Sequence, residues 1–270
     1  MHNQPTPWDF RGSKELSMSS LYEQDGYVIE SADYKYLELL KKKIESAYSE
    51  FLNAKGRKET SLQNAHTAVL NEESNDLRLF IMQRISDGTS FHKNYYMAAK
   101  TIIHSLCGNE LAMQKRPGLS INLPRNQNDI LPIHADTWNG VSPFELNLWI
   151  PFVDCFDSMC LYILKRSKYA EKLKTSKGLF KLTSDELFNE LKDDLTWITI
   201  KYGQILAFDQ SLPHGYSLNM ETDSHWSMNC RFKGLHTPYW DKKLGDYFMP
   251  ITVKNCTRLG MNYKHPRNWL

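Results

Sequence analysis

A histidine and an aspartate separated by one residue, His134 and Asp136, are the side chains best suited to metal chemistry. They lie in a segment of extended type, 131–136, where residues two apart share a face and can turn toward one ion. A second histidine, His214, comes directly after Pro213 in a turn that follows a β-type run. Two imidazoles and one carboxylate, with other coordination positions free, are the ligand set of non-heme Fe(II) oxygenases. The three side chains therefore indicate an iron site, and they support the hypothesis of an iron oxygenase.

Strands are needed to position these ligands, and the sequence from about residue 111 has the texture of short strands separated by Pro, Gly and Asn. Regular short strands with turn signals favour a closed or sandwiched β architecture. We therefore predict a mainly β protein with a jelly-roll core over about residues 111–235. The predicted strands are 119–123, 145–150, 159–164, 196–200, 204–208 and 226–233.

The first 110 residues or so are expected to contain an irregular arm and helices. Residues 1 to about 20 are polar and contain proline, which is typical of an arm. Asp25 and Gly26 predict a turn into a short strand. Apolar residues at steps of three and four predict an amphipathic helix over 33–54.

Two more helical patterns fall between about residues 75 and 106, with a break near Asp87 and Gly88. Within the β region, residues 165–195 form a polar insertion that includes a short helix capped by Thr183. The tail from about residue 236 to 270 is rich in proline and aromatic residues. We expect it to wrap the core, so that residues 1–270 form a single domain.

Charge and composition exclude several classes of protein. The chain has 33 Lys and Arg against 31 Asp and Glu without a long run of one sign, so we expect no nucleic-acid partner. Five cysteines without tight pairs argue against a disulfide framework and against a structural zinc site. No basic region followed by an apolar stretch opens the chain, and no segment is long enough to span a bilayer. We expect a cytoplasmic protein with no membrane partner.

Several motifs follow one another in a fixed order along the chain: GNELAMQ at 108–114, LSINLP at 119–124, LPIHADT at 131–137, SPFE at 142–145, WIPFVDC at 149–155 and WSMNCRFK at 226–233. Over roughly residues 75–255 this series resembles the sporadic carbohydrate cluster of 2-oxoglutarate/Fe(II) oxygenases, relatives of the phytanoyl-CoA dioxygenase group. The resemblance implies a double-stranded β-helix core of cupin-like type. It also implies Fe(II) bound by His134, Asp136 and His214, with 2-oxoglutarate and O₂ as cosubstrates. The implied substrate is a carbohydrate or nucleotide-sugar-type small molecule of cell-surface polysaccharide biosynthesis.

Two residues are candidates for the cation that would bind the distal carboxylate of 2-oxoglutarate, because the position where the wider group has an arginine is His225 here. Arg231 lies farther along the same predicted strand, on the face shared by His225 and Ser227, and its forked guanidinium suits a carboxylate. Three alternatives remain: Arg231 binds this carboxylate, a protonated His225 does, or the site takes another cosubstrate or has lost activity. Asn122 could hydrogen-bond the cosubstrate or the substrate, or be a satisfied buried amide.

Trp138, Asn139 and Glu145 follow the His-x-Asp segment, and we expect them at the mouth of the cavity, although core packing would explain Trp138 equally well. Two other functions remain open. One is a non-catalytic metal-binding or scaffold protein on the same fold. The other is a zinc hydrolase that uses the same three ligands and a metal-bound water. The sequence gives no indication of the oligomeric state.

Overall fold

The computed structural model describes residues 10–86, 90–175 and 181–266. The first part of the chain is helical apart from one strand. The elements are α1 (Ser13–Asp25), β1 (Tyr27–Ser31), α2 (Tyr34–Ala54), α3 (Ser74–Ile85), α4 (Ser90–Ala98) and α5 (Lys100–Cys107). The predicted break at Asp87 and Gly88 lies outside the described residues, as do residues 1–9 of the predicted arm.

The predicted irregular arm is wrong where it overlaps α1, because this helix already begins at Ser13. Met18 and Ser19 are its buried residues, so the sequence carries no apolar stripe that would reveal it. At the end of α1, Gly26 has a φ of 84° and donates its N–H to the carbonyl of Tyr22. Glycine adopts this left-handed conformation at little cost, and the predicted turn into β1 forms there.

Two antiparallel sheets follow the helices. Their strands are β2 (Leu111–Gln114), β3 (Gly118–Asn122), β4 (Leu131–His134), β5 (Glu145–Pro151), β6 (Leu161–Leu164), β7 (Leu195–Trp197), β8 (Gln204–Asp209), β9 (His214–Tyr216), β10 (His225–Gly234) and β11 (Phe248–Thr252). The larger sheet has the order β1-β8-β5-β10-β2-β11, with β3 also paired to β10. The smaller sheet has the order β4-β9-β6-β7. Each predicted strand is present, although β7 is shorter than predicted and β6 begins only after a 3-10 turn.

The helix predicted over 33–54 is confirmed as α2, and its first turn is capped by Asp33, whose carboxylate accepts a hydrogen bond from the N–H of Lys35 at 3.1 Å. Its apolar stripe is buried in the main core, where Tyr48 packs edge-to-face on Trp226 of β10. No helix in the described ranges is both long and apolar enough to cross a membrane.

Strand β10 has one face toward the helices and one toward the space between the sheets. Because Trp226 faces α2, the strand period turns His225, Ser227 and Arg231 to the opposite side. These three residues therefore share a face, as the sequence predicts. That face is directed toward the candidate metal ligands His134, Asp136 and His214, which are called the metal-type residues from here on.

The insertion predicted at 165–195 contains α6 (Arg166–Thr175) and α7 (Ser184–Leu191). Thr183 caps α7 as predicted, since its hydroxyl accepts the N–H of Glu186 and Glu186 in turn accepts the N–H of Thr183. Residues 176–180 of the insertion lie outside the described part of the chain.

Helix α7 supports the strand that carries the first histidine. Leu187 and Leu191 are buried in one apolar cluster with Ile133, the residue directly before His134 in β4. Burial of these side chains holds α7 against β4. The insertion is thus part of the structure that positions the site.

The tail of the chain adds β11 to the edge of the larger sheet by antiparallel pairing with β2, and then forms α8 (Asn255–Met261). Between β10 and β11 the tail returns to the site region, where the N–H of Asp241 donates to the carbonyl of Gly140 at 3.3 Å. Tyr247 at the end of this segment also reaches β10, through its hydroxyl and Arg231.

Candidate metal centre

His134, Asp136 and His214 come together, and one possible ligand atom of each lies within 4.8 Å of the other two. His134 is the last residue of β4, Asp136 begins the following 3-10 turn, and His214 begins β9. The two histidines are direct partners in the β4–β9 pairing, with ring centroids 4.5 Å apart. His134 Nε2 lies 3.5 Å from Asp136 Oδ1. A neighbouring His–Asp pair and a histidine remote from it in sequence therefore converge on one point.

Both imidazoles are oriented by the backbone. Nδ1 of His134 lies 2.8 Å from the carbonyl oxygen of Pro132, and Nδ1 of His214 lies 2.8 Å from that of Leu212. Because a carbonyl can only accept, Nδ1 carries the proton in each ring. In the neutral form of each ring, Nε2 is then left with its lone pair, which is the form in which an imidazole binds a metal.

The protonation states also suit a metal site. Burial lowers the pKa of His214 to about 4, against the opposing effect of Asp136. Burial alone would raise the pKa of Asp136, but the hydrogen bond from His134 and the charge of Arg231 hold it well below its usual range. Burial likewise lowers the pKa of His134, while its contacts with Asp136 more than offset this. At neutral pH, His214 is therefore a neutral imidazole and Asp136 is a carboxylate, and both can bind a metal. A metal would have to displace at most one proton, the one shared by His134 and Asp136.

The two oxygens of Asp136 have different surroundings. Oδ2 accepts hydrogen bonds from Arg231 Nη2 at 2.6 Å and from Asn147 Nδ2 at 3.3 Å. Oδ1 faces His134 Nε2. With Oδ2 occupied by two donors, Oδ1 is the oxygen available to an ion.

Arg231 lies directly behind Asp136 and is held on several sides. Its Nε donates to Gln210 Oε1 at 2.9 Å, and its Nη1 donates to the Tyr247 hydroxyl at 2.8 Å. Gln114 Oε1 accepts from the backbone N–H of Arg231 at 3.0 Å. The side chain is 14% exposed. Arg231 therefore places a fixed positive charge next to the metal-type residues.

His225 is fully buried and makes hydrogen bonds through both ring nitrogens. Its Nδ1 lies 2.9 Å from the carbonyl oxygen of Met159, and its Nε2 lies 2.7 Å from Ser227 Oγ. Burial lowers the pKa of His225 to about 4. At neutral pH the ring is uncharged, donates from Nδ1 to Met159 and accepts the Ser227 hydroxyl proton at Nε2.

The other two predicted cosubstrate residues lie beside His225. Ser227 Oγ is also 3.4 Å from the hydroxyl of Tyr216, and the indole N–H of Trp149 donates to that same hydroxyl. Asn122 is the partner of His225 in the β3–β10 pairing, and its backbone carbonyl accepts from Asn219 Nδ2 at 3.0 Å. The predicted residues thus form two groups, Arg231 at the metal-type ligands and an uncharged group around His225.

Of the residues expected at the cavity mouth, Trp138 and Asn139 are exposed on the 3-10 turn that follows Asp136. The prediction for Glu145 is wrong, because this residue is buried. Its carboxylate accepts from the N–H of Ser142 at 3.3 Å and from Gln210 Nε2 at 3.1 Å. Gln210 also accepts a hydrogen bond from Arg231, so Glu145 supports the site through Gln210. Burial raises the pKa of Glu145.

Sequence reasoning missed four side chains that contact this centre: Gln114, Asn147, Gln210 and Tyr247. A signal existed for Asn147, which is a polar residue in the predicted strand 145–150, where every other residue after Glu145 is apolar. Its pairing with Arg231 across β5 and β10 follows only from the strand register. Tyr247 comes from the tail, and nothing in its spacing indicates the contact.

No protein-family model and no curated protein matches this chain. Solved structures do match. A non-heme monooxygenase, ThoJ in complex with nickel, is 10% identical with a TM-score of 0.56 over 89% of this chain and 85% of its own. The non-heme alpha-ketoglutarate-dependent carbocyclase SnoK from nogalamycin biosynthesis is 13% identical with a TM-score of 0.51 over 92% of this chain and 100% of its own. EvdMO1 is 15% identical with a TM-score of 0.53 over 82% of this chain and 50% of its own. At these identities the likeness concerns the fold.

Proposed function

We propose that the protein is a non-heme Fe(II)- and 2-oxoglutarate-dependent dioxygenase. The observation that carries this proposal is the convergence of two imidazoles and one carboxylate, with both Nδ1 atoms fixed by backbone carbonyls. Two nitrogens and one oxygen form the facial ligand set that leaves coordination positions free. A closed structural site would instead need a fourth protein ligand.

The proposed core is a double-stranded β-helix. His134 and His214 come from neighbouring strands of the smaller sheet, whereas Arg231 comes from β10 of the larger sheet. The centre therefore lies between two antiparallel sheets, as expected for a jelly-roll interior. The fold likeness to proteins named as a non-heme monooxygenase and as an alpha-ketoglutarate-dependent carbocyclase supports this assignment.

In this proposal, His134, Asp136 and His214 hold the iron. Bound Fe(II) would supply the coordination positions at which O₂ and a 2-oxo acid are brought together. The chain fixes the donors beforehand: Pro132 and Leu212 orient the imidazoles, and Arg231 restricts Asp136 to one free oxygen. Such preorganisation of a metal site supports both affinity and geometry.

Arg231 is the proposed cation for 2-oxoglutarate. It is charged at all relevant pH values and already faces the centre, whereas burial keeps His225 neutral at neutral pH. His225, Ser227 and Asn122 are proposed to contact the same cosubstrate without charge, and the Ser227 hydroxyl would turn away from His225 to donate to it. A charged carboxylate inside the protein requires such partners, since burial without them is costly.

The proposed substrate is a carbohydrate or nucleotide-sugar-type small molecule in cell-surface polysaccharide biosynthesis, with the protein in the cytoplasm. Trp138 supports this choice, because its indole is 40% exposed directly after the metal-type Asp136. An exposed aromatic face beside polar groups suits a sugar ring.

Uncoupled turnover tests the proposal without knowledge of the substrate. Purified protein is incubated with Fe(II), ascorbate, O₂ and 2-oxoglutarate, and succinate is measured. We expect succinate from the wild-type protein and none from His214→Ala, with His104→Ala on α5 as the matched control. The proposal is rejected if the wild-type protein neither forms succinate nor binds 2-oxoglutarate.

A non-catalytic metal-binding protein is the second candidate, and one observation favours it. His225 stands where the resembled group has an arginine, and both of its nitrogens are engaged within the chain. This candidate predicts metal binding at the three ligands without any binding of 2-oxoglutarate, which calorimetry on the Mn(II)-loaded protein distinguishes.

A further inference from the structure

Asn147 is a buried amide at the metal-type centre, and one of its polar atoms lacks a hydrogen-bond partner in the part of the chain that the structure describes. It lies in β5, is 1% exposed, and is the partner of Arg231 in the pairing of β5 with β10. Its Nδ2 donates to Asp136 Oδ2 at 3.3 Å. Its Oδ1 is buried and has no hydrogen-bond partner among the described residues.

The orientation of this amide is fixed by its neighbour. If the amide were reversed, Oδ1 would lie against the carboxylate of Asp136, and two acceptors would face each other. Nδ2 must therefore face Asp136, and Oδ1 remains an acceptor that needs a donor. Buried acceptors in native proteins almost always have such a donor, from the protein or from an ordered water.

Two conditions limit the chemical class of the missing hydrogen-bond donor. It must carry an O–H or N–H group, and it must fit beside Asp136. A 2-oxo acid offers only acceptor oxygens at its keto and carboxylate groups, so it does not satisfy Asn147. A water molecule held beside the three ligands does.

We propose that Asn147 is a positioning residue of the metal centre with two functions. Its Nδ2, together with Arg231, occupies Asp136 Oδ2 and so limits this carboxylate to binding through Oδ1. Its Oδ1 accepts a hydrogen bond from a water that shares the site with the 2-oxo acid. The inference rests on the proposed function to the extent that a metal binds His134, Asp136 and His214.

The test uses Mn(II) as the probe, because its affinity and its bound water can both be measured without turnover. Mn(II) affinity is obtained by titration with electron paramagnetic resonance, and bound exchangeable water by the relaxation of solvent protons. We expect Asn147→Leu to weaken Mn(II) binding by about 10- to 100-fold, as is typical when a group that orients a metal ligand is lost. We also expect the proton relaxation per bound Mn(II) to change.

Asn126→Leu is the matched control. Asn126 is also a buried amide, but its Nδ2 donates to Asn71, Ser74 and Asp129, away from the metal-type residues. This variant should lose stability and keep the Mn(II) affinity of the wild-type protein. If Asn147→Leu does not fold, Asn147→Ala replaces it, since a smaller side chain adds no bulk to the core.

The outcomes separate this inference from the proposed function. If the wild-type protein does not bind Mn(II), the metal site itself is rejected, and the inference with it. If wild-type protein binds Mn(II) and 2-oxoglutarate but the Asn147 variants match its affinity and relaxation, the inference alone is overturned. The inference is also overturned if wild-type Mn(II) shows no exchangeable water once 2-oxoglutarate is added.

Discussion

The carboxylate of Asp136 and the guanidinium of Arg231 form a largely buried ion pair, with 2.6 Å between Oδ2 and Nη2. One partner is a metal-type ligand on the turn after β4, and the other comes from β10 of the opposite sheet. The pair therefore ties the two sheets together at the centre. It also gives the carboxylate a counter-charge before any metal binds.

Arg231→Met should destabilise the metal-free protein by about 3 kcal/mol, because it leaves a buried carboxylate without its partner. Bound Mn(II) would supply a new counter-charge and should recover much of this loss. Urea unfolding with EDTA and with Mn(II) measures both effects. Arg166→Met is the matched control, since Arg166 forms a 2.6 Å ion pair with Asp209 outside the centre. An equal loss of stability for Arg231→Met with EDTA and with Mn(II) would contradict the proposed metal site.

Removal of metal should lower the stability of the wild-type protein and leave His214→Ala unaffected. At a Mn(II) concentration of about 100 times Kd, binding to the folded state alone adds about 2.7 kcal/mol to the free energy of unfolding. His104→Ala, on a helix outside the centre, should respond to Mn(II) as the wild-type protein does. Thermal melts with and without the ion show the difference. A Mn(II) response retained in His214→Ala would place the ion elsewhere.

Stability should fall as the pH drops from about 6.5 toward 4, in part because of His225. Burial lowers its pKa in the folded state from 6.5 to about 4, so between these values the unfolded chain binds a proton that the folded protein does not. Below the pKa of His225 in the folded state, the resulting loss in the free energy of unfolding reaches about 3 kcal/mol. Urea unfolding in EDTA across this range should give a shallower slope for His225→Gln. Identical slopes would mean that the pKa of His225 is the same in the folded and the unfolded protein.

Leu191→Ala should weaken metal binding although Leu191 is not itself a candidate metal ligand. This side chain is 1% exposed and packs α7 against Ile133, next to His134. Its truncation should cost about 3 kcal/mol of stability and loosen β4. Leu52→Ala in α2 is equally buried and should cost similar stability without changing Mn(II) affinity. Equal Mn(II) affinities for the two variants would show that α7 does not position the ligand.

The sequence predicted the parts of this molecule that short-range patterns determine. The six predicted strands and α2 follow from the spacing of apolar residues, and the ligand pair follows from the two-residue period of the extended segment that continues from β4 through Ala135. Helix α1 was not predicted, because few of its side chains besides Met18 are buried. Its position depends on tertiary contacts rather than on a local stripe.

The surroundings of the ligands could not be predicted in the same way. Tyr247 reaches Arg231 from the tail, and Gln114 reaches it from β2, so both contacts depend on how distant strands pair. Glu145 was expected at the cavity mouth, but the strand register turns it toward Gln210. Spacing along the chain carries no information about such pairings.

Crystallography of the protein soaked with Mn(II) and 2-oxoglutarate is the decisive test of the proposed metal site, because anomalous scattering locates the ion. We expect one Mn(II) bound by Nε2 of His134, Nε2 of His214 and Oδ1 of Asp136, with the 2-oxo acid on the same ion. An ion bound elsewhere, or none at these three side chains, would contradict this expectation.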